Sequence, residues 1–195
     1  MVSWPCMTEP ARHHRYAYAD YLALEEHSPV RHEFVDGEIY AMAGGTPEHA
    51  ALAATVLRLI GNQLPSGCRA YTSDLRIRIV EADVTTYPDG AVICGRPRHD
   101  ASDALAAINP IVIIEVTSNS TEAYDRTGKL DAYRHLESLR EVVVVSHRQR
   151  SLECHARGTD GRWTQRSFGE HEVMDLPSIG ARIAVDDVYR GADPP

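Results

Sequence analysis

Two carboxylates carry the chemistry this sequence could do. Glu115 stands inside Ile111-Val112-Ile113-Ile114-Glu115-Val116, bounded by Asn109-Pro110 before and Ser118-Asn119-Ser120 after. Apolar β-branched residues fill every other position of that run, which predicts a central strand covered on both faces. A carboxylate buried there without compensation costs several kcal/mol, so it must be protonated, paired with a cation or bound to a metal. Asp89 follows Pro88 at the start of another predicted strand, where proline's missing donor does no harm. Carboxylates converging from neighbouring strands make an oxygen-rich pocket suited to Mg²⁺ or Mn²⁺. A divalent ion held there can activate water against a phosphodiester. The competing reading of Glu115 is a structural salt bridge.

Such a site also needs a positive charge close to the reacting phosphate. The position two residues past Glu115 holds Thr117, so the nearest candidate is Lys129, on the helix that follows. Tyr133 and Leu136 come four and seven residues later and mark the inward face that Lys129 shares or borders. The plainer alternative is a surface pair with Asp125, worth tenths of a kcal/mol. His49 lies three and seven residues before Leu52 and Val56, on the inward face at the start of another helix. It either satisfies a local hydrogen bond or contributes to the site. Glu38, just past the Asp36-Gly37 turn, is a second accessory candidate at the pocket's border.

The elements that must position these residues can be read in order. A short helix over Tyr18 to Glu26 is stopped by Ser28-Pro29. His32 to Val35 and Glu38 to Met42 flank Asp36-Gly37, the pattern of a hairpin with a type I′ turn. Thr46-Pro47-Glu48 opens a helix running to about Gln63: a hydroxyl cap, Pro at the first helical position and an early acid. Strands are predicted at Arg69–Thr72, at Leu75–Val80 and at Thr85–Cys94. Arg76 and Arg78 fall on the outward face of the second of these, either simply solvated or able to meet a phosphate backbone. Gly95 to Asp103 reads as a polar loop. Asn119, Ser120, Thr121 and Glu122 supply caps for a helix from about Thr121 to Glu137. Glu141 to Ser146 reads as a second wholly apolar strand, Ser151–Arg157 and Arg162–Phe168 as a hairpin, and Ala184–Tyr189 as a short helix.

At 195 residues and 43% hydrophobic, the chain predicts one domain over residues 1–195. Within it, 1–16 reads as a flexible tail, 17–146 as the core and 147–195 as a β-rich extension. A net charge of -8 argues against a large basic surface, though not against a nuclease whose carboxylates hold cations. Cys6, Cys68, Cys94 and Cys154 are widely separated and read as ordinary reduced thiols. With no apolar leader and no stretch approaching a transmembrane span, the expectation is a cytoplasmic protein without membrane contact.

Together these residues resemble a known family. The run Glu33-Phe34-Val35-Asp36-Gly37-Glu38-Ile39-Tyr40 matches its pattern, as do His49, Thr72-Ser73-Asp74-Leu75-Arg76, Tyr87-Pro88-Asp89 and Glu115-Val116-Thr117-Ser118. So do Ser120-Thr121, Asp125-Arg126, Lys129 and Tyr133. The chain is similar to the Uma-type restriction endonucleases, a branch of the PD-(D/E)XK nuclease superfamily. The resemblance implies a restriction-endonuclease-like α/β core in the order α-β-β-β-α-β, with a mixed central sheet flanked by helices, an N-terminal hairpin and a C-terminal β-hairpin. It implies a Mg²⁺- or Mn²⁺-dependent endonuclease acting on DNA, with Asp89 and Glu115 as metal ligands and Asp89, Glu115 and Lys129 as the catalytic set. Two features depart from the family's pattern: Gly90 stands where a β-branched residue is usual, and Glu141 to Ser146 lacks an aromatic residue and a terminal Asp. The alternative is a catalytically inactive relative that binds nucleic acid or protein through the same fold. DNA is the expected partner, and a second copy of the chain a further candidate.

Overall fold

The computed structural model describes residues 15–118 and 128–192. The predicted caps Asn119, Ser120, Thr121 and Glu122, the pair partner Asp125 and most of the N-terminal tail lie outside them. α1 (Tyr18–His27) precedes the hairpin of β1 (His32–Val35) and β2 (Glu38–Ala41), whose two-residue turn has Asp36 at φ 46° and Gly37 at φ 83°. These are the positive angles a type I′ turn requires. α2 (Pro47–Gly61) starts at Thr46, whose hydroxyl accepts from the His49 amide. Then come β3 (Cys68–Thr72), β4 (Arg76–Ile79), β5 (Val84–Thr86), β6 (Gly90–Cys94), β7 (His99–Asp100), β8 (Asp103–Ala107) and β9 (Val112–Val116). α3 (Leu130–Tyr133) and β10 (Glu141–Val145) follow. The end comprises the hairpin β11 (Leu152–Arg157) and β12 (Trp163–Phe168), a second hairpin β13 (Val173–Leu176) and β14 (Ala181–Ala184), and α4 (Val185–Val188).

Two six-stranded sheets result, in the orders β2-β1-β5-β4-β8-β7 and β12-β11-β10-β9-β6-β3. The second holds the expected core. α2, β3, β6, β9, α3 and β10 give helix, three strands, helix, strand, with β9 parallel to β10 and antiparallel to β6. This is a restriction-endonuclease-like α/β fold. What periodicity did not separate is the first sheet. The predicted strand Thr85–Cys94 is two strands in different sheets, and Tyr87-Pro88-Asp89 is the crossing between them. The chain passes from one sheet to the other after β2, β3, β5, β6 and β8.

β9 has both faces covered, as its composition demands. Val112, Ile114 and Val116 pack with Leu52, Val56 and Ile60 of α2, whereas Ile113 joins Ile77, Ile79, Ala91, Ile93, Val142 and Val144 between the sheets. Gly90 lies where α2 comes closest. A Cβ there would be 2.6 Å from Leu57 Cδ2, which explains the missing β-branched residue.

Two expectations are corrected. Arg76 and Arg78 do not face solvent: each is only 6% exposed. α1 covers them with tyrosines rather than with an apolar stripe. The Arg78 guanidinium lies 3.9 Å from the centroid of the Tyr18 ring, and Arg76 pairs with Asp103 at 3.3 Å. Charges this deep need such partners, and alternation alone does not reveal them. Nor are all the cysteines reduced: Cys68 and Cys94 form a disulfide, because the β3–β6 register sets them directly opposite across a separation of 26 residues. Cys154 is free and buried.

The Arg76–Asp103 pair also accepts the Tyr18 hydroxyl at 2.9 Å on Asp103 Oδ2. Asp103→Ala strands a buried guanidinium, and the expected loss is about 3 kcal/mol in urea unfolding. A loss near that of an exposed pair, below about 1 kcal/mol, would mean that water reaches Arg76.

Candidate active site

The strand register builds the site. Gly90 pairs with Ile114 at the end of the β6–β9 ladder, which leaves Asp89 and Glu115 each one residue beyond that last pair. Glu115 alternates with Ile114 and so shares the face of Ile113, which looks toward the first sheet.

Asp89 is held from two sides. Its Oδ2 accepts the Val116 amide at 2.7 Å and lies 3.3 Å from His49 Nε2. The same nitrogen is 3.0 Å from the Val116 carbonyl, which can only accept, so Nε2 carries the hydrogen. The hydrogen bond to Asp89 raises the His49 pKa above its ordinary value, against an opposing effect of partial burial. α2 delivers this imidazole because Thr46 and Pro47 start the helix one turn earlier.

Glu115 is 3% exposed. The Tyr133 hydroxyl donates to its Oε1 at 2.5 Å, and Lys129 Nζ lies 3.8 Å from the same oxygen. Complete burial, with Glu115 beside it, pushes the Tyr133 pKa well above the ordinary tyrosine value, so the hydroxyl stays protonated and donating. Lys129, itself buried, leads into α3 and brings its ammonium to within 3.0 Å of Glu33 Oε1. Glu33 also accepts the Thr86 hydroxyl.

The sequence-predicted residues thus divide. Asp89, Glu115, Lys129 and His49 come together at one end of the second sheet. Glu38 lies apart, exposed on β2, with its carboxylate accepting the Tyr40 hydroxyl. The acid of that hairpin which reaches the cluster is Glu33, passed over although it alternates in phase with the partly buried Val35. Thr117 occupies the strand position where a lysine was looked for. It is fully buried, with its hydroxyl 2.8 Å from His147 Nδ1.

The donors suit a hard divalent cation. Two carboxylates and the Val116 carbonyl are all oxygen ligands, and Mg²⁺ commonly takes one or two carboxylates while keeping several waters. Among the described residues, no three His, Cys, Asp or Glu side chains converge to encage an ion. Asp89, Glu115 and Glu33 are carboxylates near one another and Lys129, the donor type a divalent cation takes.

The chain and its fold have counterparts. A family model described as "Putative restriction endonuclease" (Uma2) matches residues 18–186, and the chain belongs to that family. It is 38% identical over 173 residues to an uncharacterized protein of Synechocystis sp., covering 88% of this chain and 90% of that one. A second uncharacterized Synechocystis protein is 32% identical over 148 residues, covering 74% of this chain and 82% of its own length. The crystal structure of a "putative nuclease" from Anabaena variabilis superposes with a TM-score of 0.67 at 17% identity, over 83% of this chain and 91% of that chain, a likeness of fold. No helix among the described residues is long and apolar enough to cross a membrane.

The His49–Asp89 contact has a pH signature in the metal-free protein. Its folded pKa is raised, so the charged part of the interaction is fully present below the unfolded value of about 6.5 and fades as pH rises through the folded one. Thermal melts in EDTA should therefore show His49→Gln costing more stability at acid than at alkaline pH. An equal cost at both ends would reduce the contact to a neutral hydrogen bond.

Proposed function

We propose that this protein is a divalent-metal-dependent endonuclease that hydrolyses DNA phosphodiester bonds, using Asp89, Glu115 and Lys129. The observation that carries the reading is the grouping at one sheet end: Asp89 and Glu115 each one residue beyond the last β6–β9 pair, with the Lys129 ammonium 3.8 Å from Glu115. Asp89 and Glu115 would hold Mg²⁺ or Mn²⁺. When bound, such an ion supplies a water of lowered pKa and offsets charge on the scissile phosphate. Val116 N–H and His49 fix the Asp89 carboxylate, and Tyr133 fixes that of Glu115, so neither must reorganise during the reaction. Lys129, held by Glu33, keeps a positive charge beside the site for the developing phosphate charge.

Two copies of the chain in a dimer would present one such site to each strand of a duplex. The cytoplasm, where a bacterial chromosome and incoming DNA are found, is the compartment this activity calls for.

Plasmid cleavage with Mg²⁺, Mn²⁺ or EDTA tests the reading. Nicking or linearisation should need the metal and vanish in Asp89→Ala. The same ions should raise the wild-type melting temperature but not that of Asp89→Ala, since a ligand of the folded state stabilises it. Metal binding without cleavage would leave the inactive binding module as the better description.

Lys129→Met keeps the bulk and removes the charge. Cleavage should fall by on the order of 10²-fold, as when a preorganised electrostatic group is lost. The metal-induced melting shift should persist, because Lys129 is not a ligand. Wild-type turnover in this variant would remove Lys129 from the mechanism.

A further inference from the structure

β3 is the free edge of the second sheet, and one side of it carries unusual chemistry. A surface cavity of about 390 Å³ is lined by Gly67, Arg69, Tyr71, Gly95, Arg96 and Pro97. No acid is among them, in a chain with 28 acidic and 20 basic residues. Elsewhere the exposed arginines tend to be spoken for: Arg15, Arg31, Arg134 and Arg182 each pair with an aspartate. Arg69 and Arg96 are exposed, and among the described residues neither guanidinium has an ion-pair or hydrogen-bond partner. Tyr71 lies half-buried between them and the site, one face of its strand shared with Arg69.

The floor of the cavity is firm and close to the backbone. Gly67 and Gly95 both have positive φ, 89° and 81°, with open space where a Cβ would point. The Gly95 amide donates to the Gly67 carbonyl at 2.7 Å, and the Cys68–Cys94 disulfide ties the two strands at the next pair. The side chains above it therefore sit on a framework fixed before any ligand arrives.

β3 leads from the cavity toward Asp89. Arg69 and Tyr71 pair with Ile93 and Ala91, and Tyr71 rests partly buried against the cluster that contains them. Thr72, the last residue of β3, pairs with Gly90, next to Asp89. From Arg69 to Thr72 the strand advances about 10 Å. That matches about three base-pair steps along the axis of B-form DNA.

We propose that the β3 edge and the 95–98 loop form the track for one strand of the nucleic-acid substrate: Arg69 and Arg96 hold its phosphates, and Tyr71 stacks on a base or sugar as the strand runs toward Asp89. The proposal rests on the nuclease reading for its substrate, but it concerns binding rather than cleavage. Charge complementarity argues for a nucleic-acid strand: two unpaired guanidiniums with an aromatic ring between them and the site match its alternating phosphates and bases.

The test is fluorescence anisotropy of labelled single-stranded and duplex DNA in EDTA, over a range of salt, with plasmid cleavage in Mg²⁺ run in parallel. The double variant Arg69→Ala/Arg96→Ala should bind about 10-fold or more weakly at low salt, and its slope of log affinity against log salt should fall by about two. Tyr71→Ala should weaken single-strand binding about 10-fold and leave the salt slope unchanged. Arg182→Ala, which removes one exposed arginine paired with Asp175, serves as the control for loss of surface charge away from the track. Wild-type affinity and slope in the double variant, an equal loss in Arg182→Ala, or no DNA binding by the wild type would each overturn the track. The parallel assay separates the two readings. Cleavage with unaltered binding in the double variant sinks the track alone, whereas Arg69- and Arg96-dependent binding without cleavage sinks the nuclease activity alone.

Discussion

A carboxylate in the middle of an apolar strand has to be answered by the rest of the structure. Glu115 lies between two sheets, and its surroundings supply a tyrosine hydroxyl and an ammonium within 4 Å of one oxygen. Both arrive on the same short stretch, because Lys129 leads into α3 and Tyr133 ends it. The parallel pairing of β9 with β10 makes that delivery possible. Parallel neighbours cannot be joined by a tight turn, so the chain must cross over, and the crossover brings a helix onto the face where Glu115 points. The strand itself could not have carried the cation at position 117. Thr117 is sealed there by Val145 and His147.

A second consequence concerns Asp89. It sits where the chain passes from β5 in one sheet to β6 in the other, and Pro88 helps to end regular pairing at that point. Tyr87 and Pro88 at this crossing are buried, whereas Asp89 is half-buried and reachable from solvent, and Glu115 is enclosed. Two acids with the same chemistry thus have different surroundings, one fixed by backbone and imidazole, the other by phenol and ammonium.

Local chemistry made the hairpin, the start of α2, β9, β10 and the β11–β12 hairpin legible in the sequence. Asp36-Gly37, Thr46-Pro47 and unbroken Val/Ile runs act within a few residues of themselves. What the sequence hid is non-local. Arg76 and Arg78 alternate with isoleucines as surface residues do, and only the docking of Tyr18 and Tyr21 from α1 buries them. The disulfide depends on a register between strands far apart in the chain, which no spacing of cysteines encodes. Glu33 and Glu38 lie on one face of the hairpin, since Val35 pairs with Glu38; Glu33 reaches Lys129 because β1 is the strand that pairs with β5, whereas β2 is the outer edge, and that order is set some fifty residues later in the chain. Of the site, the residue types and their strands could be read. The partners that orient them, His49 apart, could not.

The repeated passage between the sheets bears on how the protein is made. Neither sheet is a continuous piece of chain: the strands of the first lie within residues 32–107, whereas four of the six in the second follow residue 111, so the second is completed last, through contacts of a range that is slow to form. Asp89 acquires its neighbour only when β9 has joined β6, and Lys129 takes its position only with the crossover to β10. A chain growing from its N-terminus on the ribosome therefore carries each ingredient of the cluster for some seconds before any two of them meet. The complete arrangement exists only after Val145 has emerged, so a broken or stalled product ending earlier would lack it.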